Sequence, residues 1–290
     1  MKRLVTYLLY ILIIGCTPLL AQPAASYTSE DSLCIVKALN SSAQTTLQFA
    51  QLFLDRPYVA HTLEPFDEER VIVNTRQLDC TTFVETVTAL TLCKQQGLNT
   101  FADYVSTLQQ LRYRGGLLNG YTSRLHYFSD WIDDNTAMGY VSEIQAPNPP
   151  FTAVQKVKVN FMSTHPKSYR LLSKFPKMVP AIAQQEKQLS GHTYRYIPKS
   201  QTGNVAQLRK AINDGDIIAI TCSKPGLDIA HLGFAVWQAD GLHLLNASML
   251  HKKVILEPMT LYEYLAKHPS HTGIRIVRIN NKHLLDELKL

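Results

Sequence analysis

Apolar residues recur at helical spacing over residues 35–53, where Ile35, Val36, Leu39, Leu47, Ala50, Leu52 and Phe53 suit one face of an amphipathic helix. Pro57, after Asp55-Arg56, closes it. Residues 70–74 read as a short strand. Residues 78–93 are nearly uncharged, and two patterns compete there. The β-branched residues Thr81, Thr82, Val84, Thr86, Val87, Thr88 and Thr91 favour a strand, but Phe83, Val84, Val87, Leu90 and Thr91 recur at helical spacing. The block is also long for a strand. It is expected to be a buried helix starting at Asp79 or Cys80.

Residues 100–112 predict a second amphipathic helix, and Gly115, Gly116, Asn119 and Gly120 the loop after it. Residues 151–161 alternate as a strand, and residues 168–188 read as a helix broken near Pro176 and Pro180. From Asp216 onward the pattern turns to β: residues 217–222, 232–237, 242–246, 254–256 and 273–279 are short apolar runs between turn residues. Helices first and strands later predict an α+β fold. No repeat or linker divides residues 22–290, so one catalytic domain is expected.

The chain has 290 residues, 46% of them apolar, enough to build a core, and its composition excludes disordered, collagen-like and long coiled-coil classes. The net charge of +6 is mild, and no basic stripe interleaved with aromatics marks a nucleic-acid surface. Lys2 and Arg3 precede an apolar run over residues 4–15, too short to span a bilayer comfortably, which is the anatomy of a signal peptide over residues 1–21. Ile13-Ile14-Gly15-Cys16 resembles a lipobox, where cleavage leaves an acylated Cys16 at the new N-terminus; Leu19-Leu20-Ala21 before Gln22 offers ordinary cleavage instead. Either route leads to the cell envelope, in the periplasm or lipid-anchored to the outer membrane.

Cys34, Cys80, Cys93 and Cys222 have spacings that match no zinc ribbon or finger, and four cysteines are too few for a disulfide scaffold. Cys80 is the candidate nucleophile. At the start of a buried helix it meets unpaired N–H groups and the positive end of the dipole, which favour a thiolate, while Asp79 serves as N-cap. A thiol pKa is expected to fall in such a place, further so beside an imidazolium. Cys93, near the far end of the same helix, and Cys222, ending a strand, read as small buried hydrophobes.

A thiolate needs a general base that later acts as acid, the work of an imidazole near neutral pH. In Asp228-Ile229-Ala230-His231-Leu232-Gly233-Phe234, His231 stands at the mouth of a strand, on the face shared by Gly233 and Ala235. Gly233 leaves room there for a partner side chain or a substrate. The return strand offers Asn246 to orient the imidazole, and the connecting loop decides whether it can. A two-residue Asp240-Gly241 turn sets Asn246 opposite Ala235, about 13 Å along the strand from His231. A four-residue loop over 238–241 sets it opposite Gly233, diagonal to His231 at about 7–8 Å. Only the second permits contact, and in both His243 takes the opposite face.

Asp79-Cys80, Asp228-x-x-His231-x-Gly233 and Asn246-Ala247-Ser248 occur in the order that resembles NlpC-type cell-wall cysteine peptidases, relatives of papain. Arg56-Pro57-Tyr58-Val59 and Gly215-Asp216-Ile217 extend the resemblance. Leu78-Asp79-Cys80-Thr81-Thr82-Phe83-Val84-Glu85 and the segment from Arg112-Tyr113-Arg114-Gly115-Gly116 through Trp131 resemble the branch described as N-acetylmuramoyl-L-alanine amidase-like. Many relatives carry His where Asn246 stands, but an amide oxygen can still accept the imidazole N–H.

The resemblance implies a papain-like fold, a Cys80-His231-Asn246 triad, and amide hydrolysis in peptidoglycan fragments without metal or cofactor, by a monomer. It implies Tyr58 as a second oxyanion donor beside the Cys80 N–H. In the aromatic and basic segment 121–131, Arg124 suits a substrate carboxylate; His126, Tyr127 and Trp131 are further candidates for substrate contact. Lys199 is a poorer candidate for a carboxylate. The scissile amide is either the lactyl–L-Ala bond or the bond from D-Glu to a diamino acid. An acyltransferase or transglutaminase using the same Cys-His pair, and a noncatalytic envelope binding protein, stay open as alternatives.

Overall fold

Asp79 ends an extended segment and starts the longest helix by capping it, its Oδ1 accepting from Thr82 N at 2.8 Å while Thr82 Oγ1 accepts from Asp79 N at 2.9 Å. The computed structural model describes residues 25–281. The helices are α1 (Ser29–Leu39), α2 (Thr46–Gln51), α3 (Cys80–Gln95), α4 (Phe101–Arg112), α5 (Phe128–Ala137), α6 (Phe161–Thr164), α7 (Arg170–Lys174), α8 (Val179–Leu189), α9 (Val205–Leu208) and α10 (Leu261–Ala266). The strands are β1 (Ala25–Ser26), β2 (Val71–Ile72), β3 (Val141–Ile144), β4 (Ala153–Lys156), β5 (Thr193–Pro198), β6 (Ile217–Cys222), β7 (Ile229–Trp237), β8 (Leu242–Ser248), β9 (Lys253–Leu256) and β10 (His271–Ile279). The arrangement is α+β. The signal peptide and Cys16 expected from the sequence lie outside the described residues.

Eight strands form one sheet in the order β4-β5-β10-β6-β7-β8-β9, with β3 pairing β10 beyond the end of β5; every pairing in it is antiparallel. Both faces are covered, which is why β6 reads as an unbroken apolar run. Ile217 and Ala219 turn with Leu232, Phe234 and Leu245 toward Phe83, Val84, Val87 and Leu90 of α3, where Phe83 meets Phe234 edge-on at 5.5 Å. Ile218 and Ile220 turn with Leu244, Ile274 and Ile276 toward Leu261, Tyr264 and Leu265 of α10.

The nearly uncharged block is a helix because it is enclosed on all sides: Thr82 through Cys93 are buried. Thr91 satisfies its hydroxyl on the Val87 carbonyl at 2.8 Å. Glu85, the one acid in this helix, is paired with the equally buried Arg112 at 2.7 Å.

Several expected elements differ. Residues 35–53 form two helices instead of one: Ser41 Oγ donates to the Ala38 carbonyl at 2.6 Å at the end of α1, and Thr45 caps α2. These local side-chain bonds compete with helix continuation. The strand expected over 151–161 shrinks to β4, since Val157 N bonds His192 O and Asn160 N bonds Gly226 O outside any strand. The helix expected over 168–188 is broken at Pro176 as read, by a turn of 3₁₀ helix at Pro176–Met178 between α7 and α8, but Pro180 sits inside the first turn of α8 and does not break it. β3, β5 and α10 went unread in the sequence.

Candidate active site

The β7–β8 connection is the four-residue loop: Trp237 pairs with Leu242, Phe234 with Leu245, and Gln238 N bonds Gly241 O at 2.8 Å. Asn246 thereby comes opposite Gly233, and its Oδ1 lies 2.9 Å from His231 Nε2. The amide is oriented by its own donor, Nδ2, which bonds the Leu244 carbonyl at 3.3 Å. An oxygen facing Nε2 calls for the proton on Nε2, which leaves Nδ1 with the basic lone pair. His243 lies on the other face, held by Asp240 and the Glu257 carbonyl.

Cys80 is the first residue of α3, and it borders with His231 a cavity of about 220 Å³ whose walls include Thr81, His126, Tyr127, Met162, Tyr169 and Asp228. Among the described residues no hydrogen bond joins Cys80 Sγ to the imidazole; the shared cavity relates them. The expectation of an acidified thiol is corrected here. Burial first, and then the Asp79 carboxylate, push the Cys80 thiol up to about 12, against weaker help from Thr81 and the N–H of Leu232. The N-cap that starts the helix thus places a negative charge beside the sulfur and opposes the dipole. Burial also lowers the His231 pKa, opposed by its bond to Asn246. The resting pair is a neutral thiol and a neutral imidazole.

Tyr58 is carried next to the nucleophile by backbone bonds, Tyr58 N to Lys252 O at 2.9 Å and Val59 N to Leu78 O at 3.1 Å. Burial, with the nearby Cys80 and Asp79, pushes its phenol up to about 12, so it is a hydrogen-bond donor at neutral pH. Asp228 accepts from Ser129 N at 2.7 Å and so ties the lead into β7 to the first turn of α5.

Other sequence-derived candidates are placed differently. The Arg124 guanidinium is buried between Glu64 and Glu69, each at 3.2 Å, and lies over the Tyr121 ring, so its charge is already answered inside the protein. Trp131 is fully buried and stacks at 4.8 Å on Phe128, which lines the cavity, so Trp131 backs the wall without forming it. Tyr127 borders the cavity, but its hydroxyl donates to Glu186 at 2.7 Å and accepts from Met162 N at 3.1 Å. His126 also borders it, bonded through Nε2 to the Tyr121 carbonyl at 3.0 Å and held neutral by burial, which lowers its pKa to about 3. The space beside Gly233 is filled by Leu244: a Cβ there would meet Leu244 Cδ1 at 2.7 Å and the Leu245 carbonyl at 2.8 Å. It therefore admits a partner side chain, with no room for substrate. Met162, Tyr169 and Leu227 line the cavity without any local sequence signal. Cys34, Cys80, Cys93 and Cys222 are all free thiols. A larger apolar recess of about 540 Å³ beside Cys34 has no imidazole in its walls among the described residues.

Residues 48–276 match the family model described as AmiA-like, N-acetylmuramoyl-L-alanine amidase-like. The chain belongs to this family. A crystal structure of an N-acetylmuramoyl-L-alanine amidase from Bacteroides uniformis is 37% identical, with 82% of this chain and all of that one covered at a TM-score of 0.77. A Bacteroides fragilis structure, provisionally named a xylanase, is 42% identical over 79% of this chain and 99% of its own, with a TM-score of 0.74. A Legionella pneumophila structure at 22% identity and a TM-score of 0.67 shares the fold. No curated protein matches the sequence.

Proposed function

We propose that this amidase-like protein is a cysteine-dependent amide hydrolase of peptidoglycan fragments with a papain-like, NlpC-type catalytic domain. The observation that carries the reading is the Asn246-oriented imidazole of His231 on the same cavity as Cys80 at a helix N-terminus. In this mechanism His231 Nδ1 takes the thiol proton as Cys80 sulfur attacks the amide carbonyl, which suits a pair that rests neutral. The Cys80 N–H and the Tyr58 hydroxyl stabilise the oxyanion. The imidazolium then gives the proton to the leaving amine, the C–N bond breaks, and water activated by the same imidazole hydrolyses the thioester. Asn246 holds the ring in the Nε2–H tautomer through both halves.

The name of the Bacteroides uniformis relative supports an amide bond as the target. Glycoside hydrolysis, raised by the name of the Bacteroides fragilis relative, normally needs two carboxyl groups across the scissile bond. Among the described residues the cavity wall includes only one, Asp228, which is bonded to Ser129. The N-terminal pattern supports an envelope location, with a lipid anchor at Cys16 or none. Incubation with defined muropeptides, followed by mass spectrometry of the fragments, tests the reading: release of a free peptide amine by the wild type and not by Cys80→Ala is expected. A wild type that releases nothing while Cys80→Ala keeps muropeptide affinity would instead identify a noncatalytic binder, a reading favoured by the high thiol pKa. Product formed only when a free amine is supplied would identify an acyltransferase.

A further inference from the structure

A run of stacked rings leads away from His231, and the proposed hydrolysis does not use it. The Tyr264 ring of α10 lies 6.4 Å from His231 between centroids, His268 lies 4.4 Å from Tyr264, and His271 lies nearly parallel to His268 at 4.6 Å. Two lysines are brought to the same turn. Lys199 Nζ donates to the His268 carbonyl at 3.1 Å. His271 pairs with Cys222, and Ser223 N bonds Ser270 O at 2.9 Å, which sets Lys224 alongside.

Lys199 and Lys224 bring positive charge to this cluster of rings. Burial and then His268, His231, Lys199 and Lys224 hold the His271 imidazole down to about 4. Glu257, which acts on Tyr264, lies 3.3 Å from His251, and Asp228, which acts on Cys222, accepts from Ser129 N. Asp79 and Asn246 face His231 from its other neighbours. His271 is only 9% exposed, and its Nδ1 is buried without a hydrogen-bond partner among the described residues. A buried polar nitrogen left unpaired is costly, and neighbouring ammonium groups repel one another. An anion relieves both.

We propose that Lys199, Lys224, His268 and His271 form a carboxylate-binding ledge beside the catalytic base, which selects amide substrates carrying a free carboxylate within one to three residues of the bond cut. The proposal rests on the hydrolase reading for its catalytic consequence, though the ledge itself can be tested without turnover. Selection is made by charge and by hydrogen bonds from the ammonium and imidazole groups, while Arg124, the carboxylate binder expected from sequence, is occupied by Glu64 and Glu69.

The test compares a muramoyl tripeptide with free carboxylates against the same compound with its carboxylates amidated. Wild-type kcat/KM is expected to favour the free acid about tenfold, the size of one charge-assisted hydrogen bond. In Lys199→Met/Lys224→Met that ratio should fall toward one, and the Lys199→Arg/Lys224→Arg pair should restore most of it. An unchanged ratio in the methionine variant overturns the ledge. Where the wild type hydrolyses neither compound, the hydrolase reading fails and the ledge is judged on Cys80→Ala by NMR. Shifts of the His268 and His271 ring protons on adding the free acid, and not the amidated compound, uphold it. Equal responses to the two compounds, or none to either, overturn it.

Discussion

The helix α3 carries a cysteine near each end. Cys80 opens it, borders a cavity and shares that cavity with an imidazole. Cys93 lies near its close, fully buried, with Sγ 3.3 Å from the Thr107 hydroxyl. Burial pushes both thiols up, to about 12 and about 11. The helix dipole alone would separate the two, with Cys80 the more acidic, and it does not, because burial, and after it the negative charge of the Asp79 cap, outweighs the dipole. What distinguishes Cys80 is access together with an oriented base, which makes the proposed attack a proton transfer at the moment of reaction instead of the work of a stored thiolate.

That distinction can be broken most sharply by substitution. Cys80→Ala is expected to lower amide release by about 10⁴-fold or more, as removal of a nucleophile does, while Cys93→Ala keeps turnover near the wild-type value; comparable losses from both would remove the contrast. Asn246→Ala should cost about 10²-fold or more in kcat by freeing the His231 tautomer. His243→Ala, on the opposite face of the sheet, serves as its control, and equal effects from the two would deny Asn246 an orienting role.

The pH dependence sharpens the same contrast. Because His231 is needed as the free base and its pKa is lowered, kcat/KM should rise with pH through a midpoint below the ordinary imidazole value of 6.5. Alkylation of Cys80 by iodoacetamide should be slow at pH 7 and keep accelerating beyond pH 9, since the thiol ionises near 12. A rate already at its plateau near pH 7 would mean a stored thiolate.

Stability should respond over a neighbouring window. His126 titrates at about 3 and His271 at about 4 in the folded protein, below an unfolded imidazole, so the unfolded chain binds protons first. The stability held above pH 6.5 is therefore lost as pH falls toward 4, visible as a declining urea midpoint; a midpoint constant over that interval would contradict the burial of these rings. The smallest effect concerns Cys93→Ala itself, about 1 kcal/mol from a lost buried sulfur, read by urea denaturation.

Legibility in the sequence follows the range of the interactions. The start of α3 could be read because Asp79 and Thr82 are three residues apart and cap each other. The break between α1 and α2 was equally local, yet it was hidden by an apolar pattern that continues across Ser41 and Thr45. β3 and β5 were missed because both are short and bear polar residues; their place comes from pairing with β10, about 130 and 80 residues downstream. Arg124 looked available because its partners, Glu64 and Glu69, lie some 55–60 residues away. The cavity wall at Met162 and Tyr169 carries no motif at all.

By itself the chain determined that α3 begins at Asp79 or Cys80 and that His231, Gly233 and Asn246 share a face, since capping and the two-residue period of a strand depend on near neighbours. Whether Asn246 reaches His231 was left to the choice of loop between two registers, and pairing across the sheet made that choice. The charge state of Cys80 and the silencing of Arg124 were likewise decided only in three dimensions, because desolvation and ion pairing depend on what the rest of the chain packs against a group.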